Sequence, residues 1–469
     1  MKEVVRPKTG IVHLGLGAFF RAFGCIYIAD AMASSGGDWG ITGVSLRKPD
    51  IRDALEPQFW AYTAVTLGKD GEKTRRVEVL NNVLFALDNP EAVLASMADP
   101  NVKIVSLTVT EKGYCHSPAT GLLNREHPDI QHDLVNPMPV SAPGFLVRAL
   151  QKRHTSGLSP FTVLCCDNIP DNGSLVRSLV LELADQIDKP LSDWIRQYVR
   201  FPSTMVDRIT PATTAADIKR VEAITGVYDA APVMHEPFSQ WVIEDDFVNN
   251  ERPDLGAAGV EFVRSVTAHE HMKLRMLNGT HSGLAYTGYL AGHETISDTM
   301  QDATFTAFVK QLWSEITPAV DAPENVSLSE YADKLLERYS NPAIRHRTWQ
   351  IAMDGSQKLP QRILDTLSDN IAAGRESAGL ILVVAAWMRY VSGIDESGSP
   401  IDVRDPLASR LKSLCDASQS VPETVSALLS VREVFPVELA SQIEDQLSAA
   451  AQRLWAIGSK AAIEEQITH

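Results

Sequence analysis

Ile11-Val12-His13-Leu14-Gly15-Leu16-Gly17-Ala18-Phe19-Phe20-Arg21-Ala22 opens as an apolar, strand-like run, turns on two glycines and continues as a helix start. Read as strand, tight turn and helix, it puts Gly15 where the chain must bend and Gly17 where backbone must approach a ligand closely. The first N–H groups of the helix, at Ala18 and Phe19, then carry the positive end of its dipole. A pyrophosphate is held in this way, and Arg21 adds a local cation. The third glycine of a GxGxxG pattern is absent, with Phe20 in its place. The turn alone is therefore compatible with either a structural bend or a dinucleotide site, and Arg21 with either an anion contact or a solvated first-turn residue.

Outward from that turn, residues 40–46, 103–108 and 161–165 are further β-prone runs, each followed by a polar or Gly/Pro turn and an amphipathic stretch. The alternation predicts βαβ units and a mostly parallel sheet. Residues 59–67 and 76–87 read as extra strands, a hairpin off the main sheet. The second strand runs into Arg47-Lys48-Pro49-Asp50 instead of ending in an acid. Arg47 and Lys48 suit a 2′-phosphate, while Asp50 lies beyond a proline, so NAD and NADP both stay open. After about residue 270 the segments 272–290, 301–315, 328–338, 379–390 and 439–457 carry apolar residues at three- and four-residue spacing. The expectation is an α/β domain over 1–270 and an all-α domain over 271–469.

Of the 469 residues, 59 are acidic and 43 are Lys or Arg, a net charge of −16. That field repels nucleic acid and means that a site for a small anion must be locally basic. The apolar run 378–388 is far short of the ~20 residues a bilayer span needs, and MKEVVRPKTG has no apolar export signal behind it, so a cytoplasmic address with no membrane contact is expected. Five cysteines without CxxC spacing read as reduced thiols rather than metal ligands.

The stretch most suggestive of chemistry is Glu270-His271-Met272-Lys273-Leu274-Arg275-Met276-Leu277-Asn278-Gly279-Thr280-His281-Ser282. At ~100° per residue Lys273, His281 and Asn278 fall at roughly 0°, 80° and 140°, on one side of a helix and within about 12 Å along its axis. Oxidising a secondary alcohol needs a base for the hydroxyl proton and donors for the developing alkoxide, and desolvation brings a lysine toward the working range. Lys273 fits the base. Asn278, with Asn168 from Cys166-Asp167-Asn168-Ile169-Pro170, fits an oxyanion pair, His281 a hydroxyl-holding group, and Glu270 a proton relay. Each also has a plain structural reading as a surface lysine, a polar turn or a histidine in a polar seam.

With Lys273-x4-Asn278-x2-His281 in place, the chain resembles the polyol-specific long-chain dehydrogenases, the mannitol 2-dehydrogenase and fructuronate reductase (mannonate oxidoreductase) group. The blocks carrying the resemblance are IVHLGLGAFFRA, IVSLTVTEKGYC (104–115), CDNIPDNG (166–173), FPSTMVDRITP (201–211), EPFSQWVIEDDF (236–247), KLRMLNGTHS (273–282) and RHRTWQIAMDGSQKLPQR (345–362). The resemblance implies a metal-free, NAD-linked, monomeric enzyme with a Rossmann-like domain followed by a helical one. It implies Lys273 as acid/base, Asn168 and Asn278 as oxyanion donors, and His281, Glu270 and Asp207 as active-site groups. Thr110 and Glu111, in the second block, join Gly15, Gly17, Ala18, Phe19, Arg21 and Arg47 on the cofactor side. The wording is closer to the fructuronate reductase branch, so a substrate carboxylate calls for a cation, and Arg345, Arg347, Lys358 and Arg362 cluster in the last block. Solvated helix charges are the other reading of those four. Relatives tend to carry histidines where this chain has Phe20 and Phe23, which replaces two polar groups expected near the cofactor.

The function expected is reversible hydride transfer between a nicotinamide cofactor and a keto-sugar acid, fructuronate to mannonate. An uncharged polyol such as mannitol or arabinitol is the alternative substrate, and a non-catalytic dinucleotide binder is the alternative of another class. A zinc dehydrogenase lacks its ligands here, Gly292-His293-Glu294 being the nearest echo. A short-chain dehydrogenase would need a Tyr-x3-Lys that the chain does not contain.

Overall fold

Residues 6–117 and 120–468 are described in a computed structural model, which divides into two units, Met1–Thr267 and Ala268–His469. The strands are β1 (Thr9–Leu14), β2 (Gly40–Ser45), β3 (Tyr62–Gly68), β4 (Gly71–Val77), β5 (Leu80–Phe85), β6 (Ile104–Leu107), β7 (Thr162–Cys165), β8 (Thr204–Asp207), β9 (Val233–His235), β10 (Gln240–Glu244) and β11 (Glu261–Val263).

The main sheet has the order β5-β2-β1-β6-β7, and every neighbouring pair is parallel. Helices cover both faces of such a sheet, so β1, β2, β6 and β7 are almost wholly buried and carry apolar and small residues without a polar face. The chain builds outward from β1 through β2 to β5, then returns to β6 on the other side of β1. The strand order reverses there, and ligands of open α/β sheets bind beyond the carboxyl ends of the strands at such a point. The loops at that place are Gly15–Gly17 after β1 and 108–111 after β6. The first unit is thus a Rossmann-like α/β domain.

A hairpin is present, but its strands are β3 and β4, and β4 shares only Arg76 and Val77 with the expected 76–87; the pair is antiparallel and joins β9 in a separate three-stranded sheet. The run 76–87 is not one strand, however. The exposed, charged β4 ends at Val77, and the apolar residues from Leu80 enter the main sheet beside β2. A third small sheet, β11-β10-β8, has no counterpart in the sequence reading, because strands of three to five residues are too short to show a period.

The second unit is helical. Its core is Ala378–Val391, a helix whose side chains are nearly all buried. The exposed N–H groups at its start are met by the Glu315 carboxylate, which accepts from Gly379 (2.8 Å) and Leu380 (2.9 Å) across from the helix Ala303–Ile316. Among the described residues no helix is long and apolar enough to cross a membrane. The stretch expected as one α-helix over 272–290 has three parts: an α-helix Thr267–Met272, a π-helix Lys273–Gly279 and an α-helix Thr280–Leu290.

Candidate active site

In the first unit the glycine turn is pinned from both neighbouring strands. Gly15 has φ +88°, and a Cβ there would sit 2.2 Å from the Thr108 carbonyl oxygen, so no other residue fits. The N–H groups of Gly15 and Leu16 both donate to Val44 O (2.8 and 3.2 Å), and the Thr108 hydroxyl donates to Gly15 O (2.9 Å). Behind the turn His13 hydrogen-bonds Ser106 (2.8 Å) and Thr108 (2.9 Å) and stacks on Phe20 at 3.3 Å between centroids. Burial holds its imidazole down to about 3, so it is neutral. Phe20 and Phe23 are both fully buried, Phe23 against Phe19, Tyr27 and Trp241. The two rings therefore build the core beneath the turn, and the expected polar positions are packing positions here.

Two cations expected at the cofactor are committed elsewhere. Arg21 is buried, its guanidinium donates to the Ala231 carbonyl and lies 5.3 Å over the Tyr62 ring, and its own carbonyl accepts from the Tyr62 hydroxyl. It is a core arginine, because the five-residue helix Ala18–Ala22 turns that position inward. Arg47 lies at the surface in an ion pair with Asp129. Ala18 and Phe19 start the helix after the turn, with Gly17 exposed before it. Thr110, with φ +64°, and the exposed Glu111 lie beyond β6 across from it, and Asn168 is exposed beyond β7. Asp207 ends β8, buried and in register with Gln240. One trio of thiol, imidazole and carboxylate gathers among the described residues, Cys115, His127 and Asp129. Asp129 already pairs with Arg47, the His127 ring caps the Asp129 N–H, and burial pushes the Cys115 thiol up to about 11, so the trio reads as a helix start.

In the second unit the π-helix rearranges the candidate catalytic residues. Its i→i+5 bonding widens the turn, so Lys273 and Asn278, five apart, come onto one face, closer in angle than the ~140° of an α-helix. Such segments occur mostly as single turns inside α-helices, often at functional sites. The Tyr339 hydroxyl donates to Leu277 O (3.0 Å), supporting the widened backbone from a neighbouring helix. Lys273 is 7% exposed and His281 6%, while Asn278 and Glu270 are half-buried. The His281 ring lies 4.6 Å from Tyr339 and 5.3 Å from His346. Burial, with His346, Arg338 and Arg362 nearby, keeps it well below the usual histidine range. It is a neutral imidazole, fit to donate or accept a hydrogen bond.

A second π-helix, Pro360–Leu364, packs on the first and brings Arg362 to this cluster. The Arg362 guanidinium reaches the Ser282 hydroxyl (3.3 Å) and is largely buried, with no carboxylate paired to it among the described residues. Lys358, one turn earlier, donates to the carbonyls of Met353 (2.6 Å) and Ile351 (3.4 Å), and burial followed by Arg362 lowers it to about 8. Arg345 and Arg347 do not join them. Both are solvent-exposed and share Glu294, Arg345 with 69% of its side chain exposed. The chain is non-helical here, with Arg347 bridged to Thr295, and exposure alternates, so His346 is sheltered between two exposed arginines. Arg338, buried near His281, joins the cluster from seven residues before the 345–362 block and carried no local signal.

The close approach of the two π-helices is sharpest at Gly279, where a Cβ would lie 2.7 Å from the Arg362 carbonyl. Gly279→Ala is therefore expected to push the helices apart and destabilise the unit by about 1–3 kcal/mol. Thermal unfolding measures the stability loss, and an unchanged midpoint would refute the close packing.

The chain matches the family model of the mannitol dehydrogenase Rossmann domain over residues 9–257 and that of the mannitol dehydrogenase C-terminal domain over 265–455. It is 48% identical to the oxidoreductase YeiQ of Escherichia coli, covering 92% of this chain and 89% of that one. It is 43% identical to D-mannonate oxidoreductase of the same organism, covering 97% and 95%. The structure of Pseudomonas fluorescens mannitol 2-dehydrogenase, in ternary complex with NAD and D-mannitol, superposes with a TM-score of 0.84 at 36% identity, covering 98% of this chain and 95% of that one. With both of its units matched in order, the chain belongs to the mannitol dehydrogenase family of oxidoreductases.

Proposed function

We propose that the protein reversibly reduces a six-carbon keto-sugar acid, fructuronate to mannonate, with NADH. The glycine turn would hold the dinucleotide, whose chemistry when bound would be hydride donation to the carbonyl carbon. Lys273, as its ammonium, gives a proton to the carbonyl oxygen as charge develops there, and in the oxidising direction the free amine takes the proton back. Asn278, on the same face of the π-helix as Lys273, donates to the same oxygen, and the neutral His281 holds a neighbouring hydroxyl. Asn168 and Glu270 keep the roles that the family resemblance gives them, as does Asp207.

The observation that carries the sugar-acid reading is Arg362, a largely buried guanidinium with no carboxylate partner among the described residues, in a chain of net charge −16. A buried charge left without a counterion is costly, and a substrate carboxylate beside Arg362 and Lys358 removes that cost. The D-mannonate oxidoreductase relative points the same way. The mannitol-bound neighbour favours an uncharged polyol instead. Following NADH and NADPH oxidation with fructuronate, tagaturonate and fructose side by side separates them. Fructuronate with NADH is expected to be turned over fastest, and turnover of fructose alone would reject the sugar-acid reading.

A further inference from the structure

We propose that Asp167 is the positioning residue that holds the loop after β6 in the shape that receives the dinucleotide. The inference rests on the dinucleotide reading given above. Asp167 stands at the end of β7, and its carboxylate spans the gap to the neighbouring strand's loop. One oxygen accepts from the Val109 N–H (2.8 Å) and the Tyr114 hydroxyl (2.6 Å), the other from the Thr110 N–H (3.1 Å). Its backbone is fixed from behind, because the Asn172 amide donates to both Asp167 O and Thr204 O (2.9 Å each) and so ties it to β8.

What it holds is a strained piece of backbone against the glycine turn. Thr110 has φ +64°, a region a β-branched residue seldom enters unless its surroundings impose it. Val109 backs directly onto the turn, since a Cβ on Gly15 would come 3.1 Å from its side chain. A shift of Val109 and Thr110 is thus a shift of the cradle on which the pyrophosphate lies. Only an ionised carboxylate accepts two N–H groups and one O–H at once, so an amide or a protonated acid in this place loses at least one acceptor. Burial pushes the Asp167 carboxyl upward, against the three bonds that lower it. The titratable groups that face it are Tyr114 and Cys166, both held protonated by burial, and Cys165.

Tryptophan-to-NADH energy transfer on the full-length protein tests this across pH. Asp167→Asn is expected to weaken NADH binding roughly tenfold or more, and Tyr114→Phe, which removes one bond of three, by a smaller factor. Wild-type affinity is expected to fall toward acid pH, beginning above the ordinary carboxylate range because burial raises this group, when the carboxyl takes up a proton. That acid limb is expected to be absent in Asp167→Asn and displaced to higher pH in Tyr114→Phe, whose carboxyl has lost a donor. A merely structural role would lower the unfolding midpoint without moving the limb. NADH affinity within twofold of wild type in a folded Asp167→Asn, or an acid limb unmoved in Tyr114→Phe, overturns the proposal. Absence of NADH binding by the wild type at every pH overturns the dinucleotide reading and this inference with it, a result distinct from a variant that binds as well as wild type.

Discussion

Lys273→Met is expected to lower turnover by roughly 10²- to 10⁴-fold, the range that removal of a general acid/base produces, while NADH affinity stays within about twofold. The lysine is 7% exposed and sits at the first position of the π-helix, with Asn278 one wide turn on. Methionine keeps the length and flexibility of the side chain and removes both charge and proton. The loss should therefore appear in the chemical step, as a fall in kcat in single-turnover experiments, and not in cofactor binding, which belongs to the first unit. Retained turnover within about tenfold would mean that another group carries the proton. Equal loss of NADH binding would mean that Lys273 acts on the cofactor.

The glycine turn was legible because it depends on one local fact, a positive φ at Gly15 that only glycine supplies next to the Thr108 carbonyl. The parallel sheet was legible for a similar local reason, since strands buried on both faces are short runs of apolar and small residues bounded by turns. Arg21 was misread because a helix of five residues has no measurable phase, and its inward turn is decided by Tyr62 and Ala231, far along the chain. The π-helix left no mark in 273–279, which is made of residues an α-helix accepts equally well. It is supported by partners remote in sequence, among them Tyr339 on Leu277 O and the second π-helix at Gly279. The residues of the candidate site were therefore named from sequence while their alignment was not. The same holds for Asp167, passed over beside Asn168 because its function lies in bonds to a loop some 57 residues earlier.

Arg362→Met is expected to reduce kcat/KM for fructuronate by about 30- to 4,000-fold, the ~2–5 kcal/mol that truncating one partner of a buried charge pair costs, and to leave fructose within about threefold. The difference between the two substrates is the informative quantity. A sugar acid and its uncharged analogue share the carbinol that Lys273 serves, so a substitution that merely disturbs packing lowers both alike. One that removes the counterion of the carboxylate lowers only the acid. The guanidinium is reached through its side chain, whereas the Gly279 contact uses the Arg362 carbonyl, so the approach of the two π-helices survives the substitution. Lys358 adds a pH signature to the same ratio. Its amine is lowered to about 8, so it is a cation below that pH and neutral above it. KM for fructuronate should rise as pH passes upward through that value, with KM for fructose flat. In Lys358→Met the rise should vanish while the Arg362 dependence remains, since each cation then contributes separately to holding the carboxylate. Parallel losses for acid and ketose in both variants would instead place the substrate's charged end elsewhere and leave Arg362 as a structural arginine.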